Sequence, residues 1–165
     1  MMPFITVFTP TYNRSHCLRQ CYESLKNQTS KDFLWLIIDD GSNDGTGKLA
    51  EEWIKENAIS IKYLYQENKG MHGAHNTAYS IIDTELNICV DSDDYLVNDA
   101  IKEIASFWNK FKSDDYAGII ALDADKSNKI IGTRLPEGIK DSKYTELYQL
   151  KGVKGDKKLI YRTDI

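Results

Sequence analysis

Proline is scarce, with three residues in 165. With no Gly- or Ser-rich tract either, the chain offers no linker, low-complexity segment or internal repeat, and its length fits one domain with a real core. Cysteine is as rare: Cys17, Cys21 and Cys89 form no CxxC pair and sit beside no His/Cys cluster, which speaks against a zinc site. Buried thiols in a reducing cytoplasm are the expectation. The few histidines add nothing metallic, since His72 and His75 in "MHGAHN" have no acidic neighbour and read as part of a helix surface. Long apolar runs are also missing. The longest, such as "LWLII", fall far short of the roughly 18 residues of a membrane helix. "MMPFITVFTPTYNR" has no basic n-region and reads as a first strand, not a signal peptide. Nor is there an excess of positive charge. Lys and Arg number 21 against 25 Asp and Glu, a net charge of −4, so nucleic acid and anionic lipid exert no general attraction and any bound anion must be held locally.

What is present is globular: 41% hydrophobic and 28% charged residues. Strand and helix patterns alternate. Strands are predicted at residues 4–10, 33–40, 59–65, 85–90 and 116–122, the second apolar throughout, as in a strand covered on both faces. Amphipathic helices are predicted at 14–27 (Leu18, Cys21, Tyr22 and Leu25 inward), 44–57 (Leu49, Ala50, Trp53, Ile54) and 72–82 (Ala74, Ala78, Ile81, Ile82). A fourth starts near Asn98 as N-cap, with Ile101, Ile104, Ala105 and Trp108 inward. Repeated β-α units imply an α/β fold with a mainly parallel central sheet flanked by helices, and ligands gathering at the carboxyl ends of the strands. After residue 123 only short β-like pieces remain, "KIIGTR" and "KLIYR", and the Lys-rich stretch 151–158 reads as a solvated loop.

The segments after the first four strands are polar and unusual: "TPTYNR", "DDGSNDGT", "QENKGMHGAHN" and "DSDD". In an open parallel sheet they share one rim. Singly, some have plainer readings: Asp39, Asp40 and Gly41 make a good turn, Ser42 or Asn43 a helix cap, and Tyr12 a ring packed on the sheet. "DSDD" differs. Two acids separated by one residue just past a buried strand suit chelation of a hard cation. Two carboxylates about 4 Å apart repel by roughly 4 kcal/mol at an effective dielectric near 20. A divalent ion reverses that sign, and Mg²⁺ or Mn²⁺ takes one or two carboxylates while drawing further ligands from phosphate oxygens.

The four motifs, in this order and spacing over roughly residues 4–110, resemble the family 2 glycosyltransferases with the Rossmann-like GT-A fold. The resemblance implies inverting, metal-dependent transfer of a sugar from a nucleotide-diphosphate donor, usually UDP-linked, to an acceptor hydroxyl of a saccharide or glycolipid in polysaccharide or glycoconjugate synthesis. Carried over by position, Pro10, Thr11 and Tyr12 line the nucleobase pocket, Asp40 hydrogen-bonds the base edge with Asp39 beside it, and Lys69 lies near the donor. Asp91 and Asp93 match the DxD motif, Asp91 towards ribose or donor sugar and both toward Mn²⁺ or Mg²⁺, with Asp94 in support.

Inversion also needs a general base near the acceptor hydroxyl. None of Asp123, Asp125, Glu137 or Asp156 sits in a matching pattern. The expectation is therefore a single GT-A domain truncated at its C-terminus, with residues 1–122 as donor-binding core, 123–165 opening the acceptor side, and the base beyond residue 165. The expected location is cytoplasmic, including the inner face of the membrane where the acceptor is lipid-linked. Three other classes compete. A nucleotidyltransferase should carry a Gly-rich basic loop after the first strand, and a receiver-type domain an acid pair there; binding without turnover is the third.

Overall fold

The computed structural model describes residues 2–164. Its elements are β1 (Ile5–Thr11), α1 (Leu18–Lys26), β2 (Phe33–Asp39), α2 (Thr46–Glu56), β3 (Ile61–Tyr65), α3 (Gly70–Ile81), β4 (Leu86–Cys89), α4 (Ala100–Phe111), β5 (Gly118–Leu122), α5 (Tyr144–Gln149) and β6 (Lys157–Arg162). They build a six-stranded sheet of order β3-β2-β1-β4-β6-β5. The pairs β1–β2, β1–β4 and β2–β3 are parallel, and β4–β6 is antiparallel. The mixed sheet flanked by helices is the expected α/β architecture. The described chain divides into two compact units, one of residues up to 119 with those from 160 onward, the other of residues 120–159.

Side-chain alternation along β1 and β2 sorts the core of the first unit into two layers. On one face Trp35 of β2 stacks with Tyr22 of α1 and Trp53 of α2, the closest ring centroids being 4.4 Å apart. The indole N–H of Trp35 is satisfied by Thr9 Oγ1 at 2.9 Å, so the largest buried ring leaves no polar atom unpaired. On the other face Phe8, Leu36 and Ile38 pack against Ala74, Ala78 and Ile82. The small alanines at a spacing of four let α3 lie close to the sheet.

Several local expectations are corrected. Ile54 is exposed and Leu49 only half-buried, because α2 contacts the sheet through Thr46, Ala50 and Trp53, a narrower stripe than the sequence pattern drew. The cap of α4 is Asp99 rather than Asn98, whose carbonyl instead accepts the N–H of Thr29. "KIIGTR" forms only an isolated antiparallel bridge, Ala124 to Ile130. A six-residue helix, α5, occupies a stretch where no periodic segment was evident. The Lys-rich loop is not wholly solvated either. Lys157 opens β6 with its ammonium buried and donating to the carbonyls of Ile131, Lys154, Gly155 and Asp156. Four carbonyl dipoles replace the water that this charge loses.

The aromatic stack gives a direct test. Trp53→Ala is expected to cost about 3–5 kcal/mol in urea denaturation, whereas Ile54→Ala, on the same helix, should stay within about 0.5 kcal/mol. Equal effects would contradict the packing of α2.

Candidate functional site

Since β1, β2, β3 and β4 run parallel, the segments following them leave the sheet on one rim. The rim is wired by side chains. Asn13, in a left-handed conformation with φ +54°, donates its N–H to Ser42 Oγ at 2.8 Å and accepts the N–H of Asn43 on its own Oδ1 at 2.9 Å. Asparagine tolerates that conformation better than most residues. The loops after β1 and β2 are thereby joined.

A second tie is Asp44. Its Oδ2 accepts the Ser15 N–H at 2.9 Å, and its Oδ1 accepts both the N–H and the hydroxyl of Thr46. Thr46 opens α2, whose N-cap is Gly45 at φ +95°, so the expected cap at Ser42 or Asn43 is replaced by an Asx turn from Asp44. Partial burial raises the Asp44 pKa, but hydrogen bonds from Thr46 and Ser15 outweigh it and bring it down to about 2.

Asp39 and Asp40 are both buried, and their carboxylates do different things. Asp39 is committed to the frame: Oδ1 accepts the Ser42 N–H at 2.8 Å and Oδ2 the hydroxyl of Tyr63 at 2.6 Å. Burial and this carboxylate raise the Tyr63 pKa, keeping the phenol a donor. Asp40 accepts Gln66 Nε2 at 2.6 Å and the Lys69 N–H at 2.9 Å, both on Oδ1. Oδ2 accepts no bond from a described residue. Gly41 turns the chain directly after them at φ +91°, and a Cβ there would lie 3.1 Å from the backbone nitrogen of Asn68. Only glycine suits both constraints.

Pro10 lies in the β1 ladder beside Ile38, and Thr11, which ends the ladder beside Asp39, is buried with its hydroxyl oxygen unpartnered. Tyr12 is half exposed, at 51%, rather than packed flat on the sheet. Lys69 is exposed as the N-cap of α3. Asp91, Asp93 and Asp94 are all exposed, in a tight turn closed by the Asp94 N–H on the Asp91 carbonyl. Asp93 Oδ2 lies 3.8 Å from Arg14 Nη1, linking "DSDD" to "TPTYNR". Asp91 Oδ1 lies 3.9 Å from the Cys89 thiol, itself 3.9 Å from His75 Nε2. His75 packs edge-on against Phe8, and burial lowers its pKa, with Asp91 opposing. Among the described residues no group of three His, Cys, Asp or Glu converges on a metal position. A pair of solvent-facing carboxylates is nonetheless a donor set that suits Mg²⁺ or Mn²⁺, which keep waters and share phosphate oxygens.

Sequence reasoning missed Arg14, Tyr63, Gln66 and Thr77, whose hydroxyl donates to Gln66 Oε1 at 2.6 Å. No signal marks them, because an ordinary polar residue acquires meaning only through its partner in space. Two clefts of about 470 and 440 Å³ among the described residues lie away from this rim, one at the amino end of β4 and one between the end of α3 and β6. Of the three thiols expected to be buried only Cys21 is, Cys17 and Cys89 being half-buried, and burial pushes Cys21 up to about 12.

A mixed α/β sheet with acidic, mutually tied loops on its carboxyl rim belongs to the class of folds that bind ligands at the carboxyl ends of their strands. The chain belongs to the glycosyl transferase family 2, whose family model matches residues 6–164. It is 36% identical over 101 residues to the chondroitin synthase of Escherichia coli, covering 61% of this chain and 15% of that protein. It is 34% identical over 118 residues to the teichoic acid poly(glycerol phosphate) polymerase of Staphylococcus epidermidis, covering 71% and 16%. Its structure resembles that of S. aureus TarS 1–349 in complex with UDP-GlcNAc, with a TM-score of 0.69 at 25% identity over 96% of this chain and 45% of that one. The GT-A fold is thus established, and the chain spans about a sixth of the length of these two relatives. No helix of the described residues is long and apolar enough to cross a membrane.

Asp44 yields a pH test. A carboxylate whose folded pKa lies below its ordinary value of 3.8 stabilises the protein above that value, and the contribution is lost as pH falls toward about 2. Asp44→Ala should cost about 1 kcal/mol at neutral pH. The gap between variant and wild type should close in acid denaturation over that window, and a gap independent of pH would contradict the role.

Proposed function

We propose that this chain binds the nucleotide-diphosphate donor of a glycosyl transfer, a UDP-sugar, and presents its anomeric carbon to an acceptor hydroxyl of a growing saccharide or glycolipid. One observation carries the reading: the parallel sheet brings Tyr12, Asp40, Asp91 and Asp93 to one rim. The UDP-GlcNAc complex of TarS supports the choice of donor.

In this reading Tyr12 stacks on the base, with Pro10 and Thr11 forming the wall beneath, and Oδ2 of Asp40, which accepts no bond from a described residue, accepts an N–H from the base edge. Lys69 and Arg14 supply positive charge toward the diphosphate. Asp91 faces the ribose or donor sugar, and Asp91 with Asp93 would hold a divalent ion, Mn²⁺ or Mg²⁺. When bound, such an ion acts as a Lewis acid on the leaving diphosphate. The fit rests on the donor chemistry: two exposed carboxylates, one of them opposite only a single half-exposed guanidinium. Asp39, with both oxygens engaged by Ser42 and Tyr63, holds the loop from which Asp40 projects. The transfer is a single displacement with inversion, and no residue of the chain is assigned as its general base.

Calorimetric titration of UDP with Mn²⁺, and again with EDTA, tests the site. Asp93→Asn should abolish the metal-dependent part of the binding without lowering the melting temperature, because Asp93 lies on the exposed rim. Tyr12→Ala should weaken UDP by about 1–3 kcal/mol, the range of base–aromatic stacking. Unchanged UDP affinity in both variants would remove the assignment.

A further inference from the structure

Asp40 is held from one side only. Its Oδ1 receives two donors, the Gln66 amide at 2.6 Å and the Lys69 N–H at 2.9 Å, while Oδ2 receives none from the described residues. The Gln66 amide is itself tethered, since Thr77 on α3 donates its hydroxyl to Oε1 at 2.6 Å. The backbone of Gln66 is fixed as well, its N–H bonded to the Asp39 carbonyl at 2.9 Å beyond the last residue of β3. Three elements, the ends of β2 and β3 and the second turn of α3, therefore converge on one carboxylate.

The polarity of this network has a single consistent solution. An ionised carboxylate only accepts, so the amide must turn Nε2 toward Asp40. Its Oε1 then faces Thr77, which can donate. The Lys69 N–H, at the N-terminus of α3, can only donate and adds a favourable helix dipole. With Oδ1 saturated by two donors, the carboxylate plane is fixed and Oδ2 is left as an acceptor without a donor of its own.

We propose that Gln66 and Thr77 are positioning residues for base selection: the relay Thr77–Gln66–Asp40 fixes the carboxylate so that Oδ2 demands a base with an N–H at the facing position. The proposal rests on the reading of Asp40 as the base-contacting acid. Uracil offers such a donor at N3, whereas cytosine carries an acceptor there. The relay thus discriminates between bases that Tyr12 stacks about equally.

The test is calorimetric titration of UDP and of CDP, each with Mn²⁺, into the wild type, Asp40→Asn, Gln66→Leu, Thr77→Val, Thr77→Ser and the Gln66→Leu/Thr77→Val double variant. The wild type should prefer UDP, and Asp40→Asn should lose that preference. Gln66→Leu and Thr77→Val should each weaken UDP about tenfold, as for one charge-assisted hydrogen bond lost or misaligned, with CDP affinity unchanged. Because the two residues act in series, the double variant should lose no more than Gln66→Leu alone. Thr77→Ser, which keeps the hydroxyl, should retain the wild-type preference. An unchanged UDP affinity in Gln66→Leu and Thr77→Val, with Asp40→Asn still impaired, overturns the relay alone. So does an equal loss for UDP and CDP, which would mean a structural role only. A wild type without preference for UDP, or an Asp40→Asn variant that keeps it, overturns the reading of Asp40 and the relay with it.

Discussion

Everything at the rim depends on β1 being the central strand, paired in parallel on both sides. Its register with β2 sets Thr11 against Asp39, and its register with β4 sets Phe8 against Cys89. Tyr12, Asp40 and the Asp91 turn therefore depart from one edge of the sheet. A slip by one residue would move every side chain of β1 to the opposite face, placing Phe8 among the stacked tryptophans and Thr9 against α3. Two dry layers hold the register: the Tyr22–Trp35–Trp53 stack below and the Phe8–Leu36–Ile38 cluster under α3 above. Core packing thus fixes the spacing of the acids along the rim.

The rim itself is divided between rigid and open parts. Asp39 and Asp40 are buried and bonded to neighbours, while Tyr12, Asp91 and Asp93 face solvent with few ties. Groups held in place before a ligand arrives lose little entropy when it binds, which in the proposed donor site favours selectivity. The exposed turn contributes charge and can adjust to the ligand geometry of a small hard cation. The same carboxylate chemistry thus serves two ends through burial alone.

Much of the architecture was legible because its signals are local and periodic. An apolar run such as "LWLII" between polar turns marks a strand, and Leu18, Cys21, Tyr22 and Leu25 mark a helix face. The rim motifs were legible as positions: each acid could be placed after a given strand. What could not be read was the partner of each acid. Nothing in "DDGS" tells Asp39, tied to Tyr63, from Asp40, tied to Gln66, since both partners lie more than twenty residues away. The region after residue 123 was obscure for a similar reason. Its organisation rests on non-local devices, such as the buried Lys157 ammonium among four carbonyls, and on a helix too short to show periodicity.

The contact of Arg14 with Asp93 bears on ionic strength. At 3.8 Å, with both side chains about half exposed, the pair contributes little to stability and is readily screened. It still matters as a competitor, because a cation approaching Asp93 must displace the guanidinium or share the carboxylate with it. Added salt weakens the attraction of Asp93 for an incoming divalent ion, but it also loosens the hold of Arg14. The two effects oppose each other, so on the proposed metal-binding reading cation uptake at this turn should vary less steeply with ionic strength than at a bare carboxylate pair. A displaced Arg14 is then a mobile positive charge at the end of "TPTYNR".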